Sequence, residues 1–166
     1  MINIKTRLNT RKRIFKACPP AIRTITRGAT ETFVFDIDKY NEKYNKEYTA
    51  DNFYQVSFLF KQGDTILPYT SSDVESLVSL IDNKFILNLP PAETIKFNET
   101  CYYNFDEYDL LKYEVVVQVS ETNIQDTEAK TETAANITTI EDSCFIAVKD
   151  SIYADIYTKH VEENNN

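Results

Sequence analysis

A carboxylate pair, a carboxylate trio, one histidine and three cysteines are the residues whose chemistry and spacing come first. Asp36 and Asp38 alternate with apolar neighbours in Thr32–Asp38. On an extended strand their side chains fall on one face about 7 Å apart, a spacing that serves general acid and base work. Asp106, Glu107 and Asp109 crowd three carboxylates into Phe105–Asp109, enough oxygen for a calcium ion. The glycine that an EF-hand turn requires is missing, and clustered acids are common in so acidic a chain, so a solvated turn or acidic docking patch is the reading adopted. His160 is the sole histidine of 166 residues, which excludes multi-histidine metal sites. It stands next to Lys159, six residues from the end, where a base is poorly held against a partner. Cys18, Cys101 and Cys144 are odd in number and scattered, so neither a disulfide framework nor a paired-cysteine zinc motif is available. Three reduced thiols, mostly buried, are expected. Two glycines in the whole chain leave no phosphate-cradling loop or dinucleotide fingerprint. No catalytic residue, cofactor or metal is assigned, and the chain reads as a non-enzyme.

Charge divides the chain. Residues 1–30 hold Lys5, Arg7, Arg11, Lys12, Arg13, Lys16, Arg23 and Arg27 with no acid, a net +8. The remaining 136 residues carry 10 bases against 26 acids, a net −16. Such a body stays soluble and repels nucleic acid, while the arm seeks something negative. Three uses of the arm stay open: docking on an acidic protein surface, its own or a neighbour's; phosphate neutralisation on nucleic acid through residues 5–27; and a cleaved, arginine-rich transit peptide. No stretch approaches the ~20 apolar residues that span a bilayer, so no membrane contact is expected. The sequons at Asn98 and Asn136 carry no weight without a route through a secretory pathway.

Strands must position whatever the chain presents. Period-2 alternation places Phe33, Phe35 and Ile37 on one face, then Tyr54, Val56, Phe58 and Phe60, then Phe85, Leu87 and Leu89, then Tyr113, Val115, Val117 and Val119. Gln62-Gly63-Asp64 is a turn with Thr65–Pro68 returning, and Thr139–Val148 is the last clear strand. The valine-rich centre of Tyr113–Ser120 predicts an interior strand. Ser72-Asp73-Val74-Glu75 matches a capping box ahead of Val74, Leu77, Val78 and Ile81 at helical spacing. Equally, Leu77–Ile81 reads as a strand turning through Asp82-Asn83. Pro90–Phe97 predicts one helical turn opened by proline. Residues 39–52 and 121–136 read as long polar loops. Tyrosines at 40, 44, 48, 102, 103 and 108 mix with acids as often as with lysine, which favours protein contact over base stacking. The expected organisation is a basic arm over residues 1–21, an all-β sandwich over 22–157 and a frayed tail over 158–166.

Four segments, in order, carry a resemblance. Ile25-Thr26-Arg27-Gly28-Ala29-Thr30-Glu31-Thr32-Phe33-Val34-Phe35 resembles the opening of small virion domains of tailed bacteriophages. Phe58-Leu59-Phe60-Lys61-Gln62-Gly63 resembles their strand end, Leu89–Phe97 their turn, and Val115-Val116-Val117-Gln118-Val119 the strand that follows. The chain departs from that pattern at Pro90-Pro91, at Ser120 and in a longer loop over 98–112. The family is similar to the N-terminal domain of baseplate upper proteins, with an immunoglobulin-like antiparallel β-sandwich. The resemblance implies a rigid, non-catalytic module of a tail, baseplate or neck assembly, built into virions in the host cytoplasm. It implies other virion proteins as partners and a ring-forming homo-oligomer. Within it Gly28 would supply a backbone with φ > 0 or a close approach, and Glu93 and Thr94 would pin the turn through local hydrogen bonds. The arm would dock through Arg7, Arg11, Lys12, Arg13, Ile14, Phe15 and Lys16, its bases steering and its apolar pair anchoring.

Overall fold

The structure, a computed structural model, describes residues 23–100, 111–121 and 136–150. It is an all-β sandwich. Strands β1 (Arg23–Thr26), β8 (Asn136–Lys149), β7 (Leu111–Ser120), β3 (Phe53–Gln62) and β4 (Thr65–Thr70) form one sheet in that order. Strands β2 (Glu31–Asp36), β6 (Lys84–Leu89) and β5 (Val78–Ile81) form the other. Every pairing is antiparallel except β1 with β8, which run parallel from Arg23 beside Ile146 to Thr26 beside Lys149. That one pair departs from the antiparallel sandwich expected.

The core lies where the two alternating faces meet. Phe33, Phe35, Phe85, Leu87 and Leu89 of the smaller sheet face Val56, Phe58, Phe60, Tyr113, Val115 and Val117 of the larger, all of them buried. The rings interlock edge to face and obliquely: Phe33 sits 5.0 Å from both Phe60 and Tyr113, and Phe60 sits 5.3 Å from Phe97. Such pairs add about 0.5–1.5 kcal/mol each beyond the area they bury. β7 is interior, flanked by β8 and β3, as its valines predict. Pro68 lies on β4, an edge strand, where its missing N–H breaks no ladder bond on the open side.

Three expectations are corrected. Thr32–Asp38 is not a strand throughout: β2 ends at Asp36, and helix α1 (Ile37–Tyr44) begins. The Asp36 carboxylate caps that helix, accepting from the N–H groups of Asp38 and Lys39 at 3.0 and 3.3 Å. Asn45, with φ 51°, closes it in the left-handed region. Residues 39–52 are therefore mostly helical, with a short 3-10 turn at Ala50–Asn52 following α1. Second, Tyr54 points outward, 57% exposed, and Phe53 is buried in its place, because a bulge shifts the register between Phe53 and Gln55. Third, Ser72–Glu75 forms turns rather than a helix and Val74 is fully exposed. The strand reading of this region holds: Val78–Ile81 pairs with β6 through Asp82 and Asn83, whose φ values of 49° and 59° suit a tight hairpin. The one-turn helix α2 (Pro91–Thr94) follows β6, with proline at its start.

Candidate functional site

Two places gather polar side chains from distant parts of the chain. The first is the corner where β1 turns into β2 beneath α2. Gly28 has φ 74°, a conformation that a Cβ opposes. Its N–H donates to the Thr94 hydroxyl at 3.1 Å, and that hydroxyl donates to the Ala29 carbonyl at 2.8 Å. Thr94 is fully buried, so its hydroxyl ties two segments more than sixty residues apart rather than bonding only locally. Glu93 accepts from the Tyr69 hydroxyl at 2.6 Å and from the Lys96 ammonium at 2.7 Å, linking α2 to β4. Arg27 reaches the Ile95 carbonyl and the Asp150 carboxylate.

Burial works against a charge on Glu93, but the Lys96 ammonium and the Tyr69 hydroxyl outweigh it and hold the carboxyl below its ordinary value. Burial first, then the Glu93 carboxylate, pushes the Tyr69 phenol up. A group whose pKa is lowered by folding stabilises the fold above its unfolded value and loses that contribution as pH falls through the folded one. Replacing Glu93 by Gln is therefore expected to destabilise the domain by about 1 kcal/mol near neutrality, the size of a partly exposed charged hydrogen bond. The gap between wild type and variant should close on acidification through and below the ordinary carboxylate range. Thermal midpoints across an acid series check this; a gap that stays constant or widens in acid is the contrary result.

The second place is the seam on the β8 side of the sandwich. Between Ile140 and Asp142 the β7–β8 register slips by one residue, leaving Glu141 as a bulge. The bulge aims the Glu141 carboxylate at α1, where it accepts from Tyr44 Oη at 2.9 Å and from Lys43 Nζ at 3.3 Å, with its side chain only 6% exposed. The Tyr44 and Glu141 oxygens together raise the Lys43 ammonium above its ordinary value. Between α1 and the bulge lies a cleft of about 500 Å³, lined by Val34, Val115 and six charged side chains, Lys39, Lys43 and Lys84 against Asp36, Glu141 and Asp142. Lys84 lies 3.7 Å from Asp36. Higher on the same seam Arg23 covers the Phe33 ring at 4.1 Å and bonds Glu31 at 2.9 Å. Cys144 is a free, half-buried thiol there; burial and the neighbouring Asp142 push it up, with Arg23 opposing.

The residues singled out from sequence fare differently. Asp36 and Asp38 do not form a strand-face pair, because Asp36 is a helix cap. Arg23 and Arg27, counted with the arm, belong to β1 and the turn after it. Tyr40 packs on Tyr44, Tyr48 and Phe53, and Tyr48 packs on Phe53 as well, which fastens α1 to the sandwich. Arg7, Arg11, Lys12, Arg13, Ile14, Phe15 and Lys16 lie outside the described residues, as do Asp106, Glu107 and Asp109, Cys18, Cys101 and His160. Among the described residues no group of three or more His, Cys, Asp or Glu side chains is placed to hold a metal ion, and no helix is long and apolar enough to cross a membrane. The Glu141 bulge escapes sequence reading because a bulge has no composition of its own.

No model of a protein family matches the chain, and no curated protein matches it. Among solved structures it is similar to MtrC from Shewanella baltica OS185 at 12% identity and a TM-score of 0.36. That alignment covers 87% of this chain and 26% of the other, so the chain spans about a quarter of that protein's length. A likeness this slight carries no argument about fold or function.

Proposed function

We propose that this chain is a non-catalytic structural component of a tailed-phage virion, a rigid β-sandwich that docks on neighbouring virion proteins through its basic N-terminal arm. The observation that carries the reading is how charge divides along the chain. β1 starts at Arg23, and Arg23 and Arg27 are engaged with Glu31 and Asp150. The six bases Lys5, Arg7, Arg11, Lys12, Arg13 and Lys16 precede β1 in the sequence, with no acid among them. The four segments that resemble virion domains support it: they fall on β1–β2, the end of β3, α2 with its flanks, and β7. A sandwich stiffened by long-range ties such as Thr94 to Gly28 suits a mechanical part.

Mass spectrometry of purified particles tests the reading. The chain is expected at a fixed copy number relative to the other virion proteins, and its absence overturns the proposal. The competing reading, a nucleic-acid binder acting through the same arm, is favoured by those six bases. It predicts duplex affinity falling steeply with salt, with a slope near −0.9 per phosphate neutralised. A virion component with a body at −16 is expected to bind free DNA weakly at every salt concentration.

A further inference from the structure

β1 and β8 are the first and last strands among the described residues, and they form the one parallel pair of the fold. The chain therefore enters β1 at one end of the sheet and leaves β8 at the other. Tension drawn along the chain pulls Arg23 and Lys149 in opposite directions, parallel to the strands, and so slides β1 along β8. All the bonds between the two strands then meet the load together. In an antiparallel terminal pair both chain ends lie on one side, and the bonds open one at a time.

The seam between these strands resists such a slide. Its ladder runs from Arg23 beside Ile146 to Thr26 beside Lys149, and the Arg27 N–H extends it to the Lys149 carbonyl at 2.9 Å. Val148 turns its N–H and carbonyl to Thr100 on the opposite side, at 2.8 and 3.0 Å, so Ala147 and Lys149 turn theirs to β1. Ile25, Ile146 and Val148 are buried beneath the pair, which keeps its bonds away from water, where a hydrogen bond is electrostatically weaker. Side chains tie both ends. Where the load enters, Arg23 donates to the Glu31 carboxylate and the Thr32 carbonyl, each at 2.9 Å. Where it leaves, Arg27 reaches Asp150 at 3.3 Å and joins the end of β1 to the end of β8. β8 is held to β7 from Asn136 beside Ser120 to Ile146 beside Leu111, a far longer seam than the four residues it shares with β1. The shorter seam yields first and sets the resistance.

We propose that β1 and β8 form a shear clamp, through which the domain carries tension between whatever the chain holds before Arg23 and whatever it holds after Asp150. The clamp goes beyond the virion reading and does not rest on it: absence from particles leaves the clamp untouched, and a failed clamp leaves the particle measurement to decide the virion role.

Single-molecule pulling on the full-length chain tests it. Azide-bearing residues placed at positions 22 and 151 serve as attachment points, so the load enters and leaves at the ends of the clamp and bypasses residues 1–21 and 152–166. Forced unfolding reads the barrier to unfolding rather than the equilibrium. The reference is the same chain held at 64 and 151. Asp64 lies in the turn between β3 and β4, at the same end of the larger sheet as Asp150, because Lys61, Lys112 and Phe145 stand side by side. Pulling between these points acts across the strands and opens the sheet from one end. Rupture along the strands is expected to need a several-fold higher force than rupture across them. Equal or lower force along the strands overturns the proposal.

Arg27 separates the clamp from stability at large. The Ala29 N–H donates to the Thr26 carbonyl at 3.2 Å, closing a turn in which Gly28, with φ 74°, stands third. That is the type II pattern, which favours proline in second place. Arg27→Pro therefore suits the turn while removing the N–H that Lys149 accepts; Arg27→Ala removes the same side-chain bonds and keeps that N–H. Arg27→Pro is expected to rupture along the strands at a clearly lower force than Arg27→Ala, with thermal midpoints within a few degrees of each other. Equal rupture forces in the two folded variants overturn the proposal. If Arg27→Pro misfolds by circular dichroism, the two pulling directions in the wild-type chain decide alone.

Discussion

Truncating Phe60 to alanine should cost the domain about 3–5 kcal/mol, the range for a buried phenylalanine whose surroundings collapse only in part. Phe60 is 1% exposed and stands between the two sheets, against Phe97 of the segment that follows α2. Its ring lies 5.0 Å from Phe33, 5.2 Å from Tyr113, 5.3 Å from Phe97 and 5.8 Å from Tyr69. A cavity of about 40 Å³ already adjoins it, lined by Phe97, Leu67 and Leu111, and two of those walls, Leu67 and Leu111, are held by their own strands β4 and β7. Denaturant unfolding measures the loss directly. Tyr54→Ala on the same strand is the control: at 57% exposure it should change stability by no more than about 0.5 kcal/mol. A loss at Phe60 below about 1 kcal/mol, or a larger one at Tyr54, would mean that β3 faces the other way.

That contrast also marks how far alternation carries a sequence reading. Val56, Phe58 and Phe60 were legible because side chains on a regular strand alternate without exception. Tyr54 was misplaced because one extra residue, invisible in composition, reverses the phase upstream of it. Helix α1 was hidden for a related reason. Phe33, Phe35 and Ile37 keep period 2 up to the residue where the helix starts, and Ile37 is buried in either conformation. The discriminating signal was Asp36: an aspartate followed by an acidic first turn is a helix cap as readily as a strand residue. The resemblance singles out Gly28, Glu93 and Thr94 as turn residues, but the bonds joining Thr94 to Gly28 and Glu93 to Tyr69 depend on how β1, β4 and α2 meet. No local pattern encodes that meeting. The cleft beside Glu141 was wholly illegible, since it exists only because a bulge in β8 faces a helix that the alternation concealed.

Deleting residues 1–21 has the largest expected effect on function and little on the fold. The deletion stops short of β1, whose first paired residue is Arg23, and every described core side chain lies at or beyond Ile25. The polar ties at that end of the sandwich, Arg23 to Glu31 and Arg27 to Asp150, are also retained. The truncated domain is therefore expected to keep its β-rich circular dichroism and a thermal midpoint within a few degrees of wild type, the shift that about 1 kcal/mol produces in a domain of this size. Six bases and the Ile14-Phe15 pair go with the arm, leaving a body at −14, since Arg23 and Arg27 stay. In the docking role proposed for the arm, those bases would steer the domain toward an acidic partner and the apolar pair would anchor it there. Under the proposed docking role, incorporation into particles should fail altogether rather than weaken, because a head-to-tail contact, if repeated around a ring, would lose every link at once. Complementation of a particle lacking the wild-type chain, scored by mass spectrometry, reads this directly. Unfolding of the truncated chain would place the arm within the core. A folded truncation that enters particles normally would end the docking role of the arm and leave the sandwich faces as the surface that holds it in place.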